Sequence, residues 1–172
     1  MGNRSEQELR ALCESTRMKI KEAIAKTELF LNHHTLDQLN EDGDEAMELF
    51  YRDYLQDTRH LLVYCEIMYE KLGVCLRRRQ FNAEYAEKTL YDVYHKCVST
   101  FFYPQNECYS EDGRYAYTGQ DAIRFRKKPV RAVRDLTIEL AAIFEELREE
   151  LSYYESDYMR DRMGSVQSSD RP

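Results

Sequence analysis

Apolar residues recur at alternating three- and four-residue steps in four long stretches of this chain, the spacing that lines one face of an α-helix. The first stretch opens at Ser5 with Glu8 three residues on, the reciprocal pairing of a capping box. Leu9, Leu12, Thr16, Ile20, Ala23, Thr27, Phe30 and His34 then form its stripe, and the pattern predicts a stop near Asn32. A polar connection through Asn40, Glu41, Asp42, Gly43 and Asp44 follows. The second stretch, 44–79, carries Met47, Phe50, Tyr54, Thr58, Leu61, Cys65, Met68 and Leu72, with Gly73 placed to end or kink it. The third starts at Asn82 as N-cap and carries Ala83, Ala86, Leu90, Val93, Cys97 and Phe101 to a stop at Pro104. The fourth has Pro129 in its first turn, then Val133, Leu136, Leu140, Phe144, Leu147, Leu151, Tyr154 and Tyr158.

Between the third and fourth stretches the period changes. Residues 103–128 contain the turn pair Asp112-Gly113, and Tyr115, Tyr117, Ile123 and Phe125 alternate with small or polar neighbours. This predicts a small β-hairpin inserted between helices 3 and 4, with an ordered loop or a short helix after Asp121 as the alternatives. The fold class expected is therefore mostly α: an antiparallel up-and-down four-helix bundle with a β-hairpin insertion. One domain would span residues 1–163, followed by a flexible polar tail over 164–172. In such a bundle the acidic 41–48 connection and the 103–128 insertion lie at the same end.

Composition narrows the class without changing it. In 172 residues, 42% hydrophobic and 33% charged, there are only 6 Gly and 3 Pro, which suits helices better than many-turned β structure. The net charge of -7 disfavours nucleic-acid binding by overall charge and leaves only a local basic patch as a route to it. The start MGNRSEQELRALC has no apolar leader core, Glu6 occupies the position a myristoylation signal needs as Ser or Thr, and no long apolar run follows. Cys13, Cys65, Cys75, Cys97 and Cys108 are odd in number and scattered, as expected of reduced thiols. These features together predict a cytoplasmic protein, with no membrane among its partners.

Charge placement carries the main functional signal. Residues 114–134 hold seven cations against Asp121, a net +6, so the rest of the chain carries -13. Cations at a helix N-terminus oppose the macrodipole, so something must offset them. One reading is an anion site. The first-turn amides, flanked by Arg114, Arg124, Arg126, Lys127, Lys128 and Arg131, would hold a phosphate or carboxylate, with Tyr115, Tyr117 and Phe125 supplying stacking or apolar contact. The competing reading is internal neutralisation by Asp42, Asp44, Glu45 and Glu48. Arg77, Arg78 and Arg79 end a helix, where the dipole favours them and capping accounts for their presence.

Enzymatic readings are weaker. Asp57/His60 and Asp92/His95 each share a helix face, as metal-binding pairs in bundles do. At ~100° per residue, however, Asp92 and His95 fall opposite the buried stripe, His60 lies about 130° from the stripe centre, and Asp57 only flanks it. Cys13, Cys65 and Cys97 sit on or beside stripes as packing groups, and Cys108, near Arg114, is the one candidate for a reactive thiol. His33 and His34 suit a helix end. No phosphate-binding glycine loop, nucleophile elbow or metalloprotease motif occurs, so no catalytic or metal residue and no cofactor is assigned.

At FLNHHTLDQL, RHLLVYCE and above all FFYPQNECYSEDGRYAYTGQDAIRF, the chain resembles the YpuI-like family of uncharacterised proteins from Bacillus and related Firmicutes. The resemblance implies a bacterial protein and supplies no catalytic residues. It marks Tyr117, Thr118, Gly119, Asp121, Ile123, Arg124 and Phe125 as a distinctive segment.

The expectation is thus a non-enzymatic binding or regulatory module whose surface takes an acidic protein partner, a phosphorylated ligand or nucleic acid. Two alternatives stay open. One is a helical-bundle enzyme dependent on a metal or a phospholigand; the other is a scaffold or homo-oligomer using tyrosine-rich helix flanks.

Overall fold

The computed structural model describes residues 4–106 and 125–169. The helices are α1 (Glu6–His33), α2 (Leu36–Leu39), α3 (Glu45–Arg77), α4 (Ala83–Val93), α5 (Ser99–Phe102), α6 (Arg131–Glu150) and α7 (Asp157–Ser169). A π-helical turn, Tyr94–Val98, joins α4 to α5, and a 3-10 turn, Ser152–Tyr154, lies between α6 and α7.

Local chemistry sets the boundaries. The Glu8 amide donates to Ser5 Oγ at 3.2 Å, while the Ser5 amide and hydroxyl donate to Glu8 Oε2 at 2.8 and 3.1 Å and hold the Glu8 carboxyl below its usual range. His33 and His34 close α1 by placing Nδ1 2.8 Å from the Leu29 carbonyl and 2.9 Å from the Phe30 carbonyl. Thr35 and Gln38 make a second capping box, which starts the short α2 inside the connection. Gly43 follows with φ +64, a conformation that favours glycine, and Asp44 then caps α3 through the Ala46 amide. Asn82 accepts from the Tyr85 amide and starts α4.

The stripes face one core. Leu9, Thr16, Ile20, Ala23, Thr27 and Phe30 of α1 are buried, and so are Phe50, Tyr54, Leu61, Cys65, Met68 and Leu72 of α3. α1 runs antiparallel to α3, pairing Arg10 with Leu76 at one end and Phe30 with Tyr54 at the other. Lys19 bridges to Glu146 and Glu150, and Lys26 to Glu139, so α1 and α6 are also antiparallel. Phe101 stacks on Phe144 with centroids 4.7 Å apart, and His95 bonds the Tyr154 carbonyl, which sets the α4–α5 rod antiparallel to α6.

The helical class stands, but the β-hairpin does not. Among the described residues there is no strand or sheet, and both described stems of the expected hairpin contact α3. On one side, Asn106 donates from its backbone and side chain to Asp57 Oδ1 at 3.3 and 2.9 Å, and from Nδ2 to Gln56 Oε1 at 3.0 Å. On the other, Phe125 meets Phe50 edge to face, Lys127 reaches the Ala46 carbonyl, and the Val130 amide donates to the Tyr51 hydroxyl. The turn pair Asp112-Gly113 and the strand positions at Tyr115, Tyr117 and Ile123 lie outside the described residues.

Other expectations need smaller corrections. Pro129 precedes the N-cap Val130 and is not in the first turn of α6. Gly73 does not end the helix; α3 continues to Arg77. The fourth stripe is buried throughout, yet its backbone breaks after Glu150 and resumes as α7, which stays helical to Ser169 and so takes in the start of the expected tail. Asp57 is buried instead of flanking the core, because Asn106 gives its carboxylate two hydrogen bonds.

Candidate functional site at the start of α6

The start of α6 is an uncapped helix N-terminus. Val130 holds the N-cap position with φ -61 and ψ 154 but has no side-chain acceptor to offer, and no acidic residue occupies the first turn. The Val133 and Arg134 amides fold back to the Val130 carbonyl at 3.2 and 3.5 Å, whereas those of Arg131 and Ala132 have no acceptor among the described residues. The sequence explains this locally: Pro-Val supplies an extended, apolar approach where most helices carry Ser, Thr, Asp or Asn.

Three contacts hold the approach against α3. Phe125 packs on Phe50 with ring centroids 6.3 Å apart, Lys127 Nζ donates to the Ala46 carbonyl, and the Tyr51 hydroxyl accepts from the Val130 amide at 3.0 Å. The cationic segment therefore does lie beside the 41–48 connection. Charge neutralisation across that junction is another matter. Among the described residues no ion pair joins these cations to Glu41, Asp42, Asp44, Glu45 or Glu48, and the Asp44 carboxylate is used as a cap on Ala46. Arg131 pairs instead with Asp135 of its own helix at 3.5 Å, with 92% of its side chain exposed, and Lys128 makes no hydrogen bond or ion pair among the described residues. Phe125, Arg126, Lys127, Lys128, Pro129, Arg131 and Arg134 line an open groove of about 540 Å³.

Of the expected site residues, Phe125, Arg126, Lys127, Lys128 and Arg131 are thus brought together. Arg114, Tyr115, Tyr117 and Arg124 lie outside the described residues, as do Cys108 and the other distinctive positions from Tyr117 to Arg124. Sequence reasoning missed the role of Tyr51, although its place beside Phe50 on α3 was the available signal. Arg134 was counted among the cations but not as a wall of the groove.

The metal-binding pairs part company. Asp92 bonds Lys88 at 2.6 Å, His95 bonds the Tyr154 carbonyl, and Asp57 holds Asn106. No group of three metal-ligating side chains converges among the described residues. Cys13, Cys65, Cys75 and Cys97 are free thiols, all buried; burial pushes Cys13 up to about 12 and raises Cys75 and Cys97, whose neighbour Cys65 adds to the effect.

A family model described as "Protein of unknown function (DUF3907)" matches residues 13–160, most of the chain. The chain belongs to that family. It is also 37% identical over 128 residues to the "Uncharacterized protein YpuI" of Bacillus subtilis (strain 168), covering 74% of this chain and 70% of that relative. No solved structure matches it. The family match runs from within α1 to the start of α7 and includes both sides of the α6 junction, but brings no activity with it. None of the described helices is long and apolar enough to cross a membrane.

Proposed function

We propose that this member of the family is a non-enzymatic binding or regulatory module of the bacterial cytoplasm, and that its active surface is the approach to α6. The ligand class is an anion: a phosphorylated group, a nucleic-acid backbone, or the acidic face of a protein partner. The observation that carries this reading is a helix N-terminus with no side-chain cap and no acid in its first turn, set beside Arg126, Lys127, Lys128 and Arg131. Each such cation opposes the dipole by ~0.3–1 kcal/mol, and an incoming anion reverses that sign. Phe125 gives the groove an apolar wall beside its charges.

The test is a titration against labelled single- and double-stranded oligonucleotides and against a polyglutamate of similar length, at several salt concentrations. A variant carrying Arg126→Glu, Lys127→Glu and Lys128→Glu serves as the comparison. Binding that weakens with salt and vanishes in the variant supports the reading, and the better of the two polymers names the partner class. Equal behaviour of the two proteins, or no binding at low salt, overturns it.

A further inference from the structure

A second cationic feature lies at the opposite end of α3, on the order of 40 Å from Ala46 along the helix axis. Gly73 faces α1, and a Cβ built on it would stand 3.3 Å from Arg17 Nη2 and 3.4 Å from Arg17 Nε. The same point is 3.5 Å from Arg77 Nη2. Two guanidinium groups, one from each helix, therefore converge on a glycine. Tyr69, one turn before Gly73, carries Arg17 on its ring at 4.1 Å from the centroid.

Neither arginine has a hydrogen bond or an ion pair among the described residues, and Arg17 Nε is buried without a partner. That combination is unusual. A buried charged donor is normally satisfied, and two like charges brought this close repel unless something of opposite sign lies between them. The neighbouring cations are differently disposed: Arg10 donates to the Leu76 carbonyl and lies over Phe81, and Arg78 lies over Tyr85.

We infer that Arg17 and Arg77 form a seat for a phosphate-class oxyanion where α1 packs on α3 beside Gly73. Guanidinium groups suit this ligand because their planar forks give paired, charge-assisted hydrogen bonds to two oxygens at once. Tyr69 holds the Arg17 plane in place, and the missing Cβ of Gly73 lets both forks approach. The seat is independent of the α6 surface and uses none of its residues.

Calorimetric titration of the full chain with inorganic phosphate, in chloride buffer at constant ionic strength, tests the seat. The natural protein binds phosphate at this seat, and Arg77→Gln weakens that binding by about tenfold or more, as loss of a charge-assisted pair requires. Arg77 is exposed, so its variant keeps the melting temperature measured in chloride. Gly73→Ala is the second variant: its new Cβ meets only the flexible ends of Arg17 and Arg77, so the helix persists while the Arg17 fork is displaced and phosphate binding falls. Arg59→Gln, at an exposed α3 position in neither site, leaves the affinity unchanged. Absence of phosphate binding, equal affinity in natural protein and Arg77→Gln, or acetate binding as tightly as phosphate each overturns the inference.

Discussion

The two arginine- and lysine-rich regions of this protein, the end of α3 and the start of α6, use the same residue types in opposite electrostatic settings. At the end of α3 the helix's own cations face its negative pole, and two arginines of this region are absorbed by the fold. Arg78 stacks on Tyr85 with 4.4 Å to the ring centroid, and Arg10 stacks on Phe81 while bonding the Leu76 carbonyl. At the start of α6 the cations face a positive pole, which has no cap and no acid in its first turn. A cationic run is therefore informative about binding only once its place on the helix dipole is known. By that rule the α6 cluster is the anomaly, and Arg17 with Arg77 is the exception inside the well-absorbed cluster.

The largest effect that separates the two regions is alkaline. Burial pushes the Cys13 thiol up to about 12 from an ordinary value of 9.0, and it raises Cys75 and Tyr154 at the same end of the bundle. The folded chain then binds more protons than the unfolded chain above the ordinary thiol value, so stability is complete below about pH 9 and falls as pH rises toward 12. Cys13 alone accounts for a loss on the order of 4 kcal/mol across that window. Urea midpoints measured from pH 8 to 11 should fall steeply, and Cys13→Ala should make the fall shallower. A flat profile would show that the thiol is not buried in solution.

A smaller effect at the same end comes from Tyr154, whose hydroxyl donates to Glu87 Oε1 at 3.0 Å and accepts from Arg4 Nη1 at 3.2 Å. Tyr154→Phe leaves both charged groups short of a partner inside a cluster of Tyr153, Tyr154 and Tyr158, and should cost about 1–3 kcal/mol in urea unfolding. At the α6 end the matching change is Tyr51→Phe, which strands the Val130 amide. It should cost about 0.5–1.5 kcal/mol and increase hydrogen exchange over 130–134 while leaving the α4 amides protected.

Periodicity made the rods legible because each buried stripe is a one-dimensional signal: all eight fourth-stretch positions, from Val133 to Tyr158, are in the core. Caps were legible for the same reason, as Ser5 with Glu8 and Asn82 show. What escaped depends on contacts between distant residues. The Asn106–Asp57 bonds join positions 49 apart and bury an acid that its own helix pattern placed at the flank. The π turn at Tyr94–Val98 leaves the apolar spacing nearly intact, and the break after Glu150 preserves the stripe, so neither disturbs the pattern that announces a helix. Gly73 looked like a helix breaker because the close approach of Arg17 has no signature in the chain around it. At the site, the clustering of cations was readable, but the tethers to Ala46 and Tyr51 that aim it were not.

The smallest stability effect gives the sharpest separation of the two regions. Val130→Asp places an acceptor at a position whose backbone already has N-cap geometry. A new cap should stabilise the protein by about 0.5–1 kcal/mol, measured as a raised urea midpoint. The same carboxylate would occupy the first-turn amides and neutralise the field of Arg126, Lys127 and Lys128, so polyanion binding at the α6 surface should fall. Stability and binding then move in opposite directions at one residue, as expected if the natural sequence leaves this helix uncapped for a ligand. At the end of α3 the opposite pairing holds: Arg78→Ala removes a cation that stacks on Tyr85 at the C-cap position, costing about 0.5–1 kcal/mol with no change in polyanion binding. If Val130→Asp stabilises the protein and leaves polyanion affinity untouched, the free amides are not part of the surface, and the binding reading at α6 would rest on side-chain charge alone.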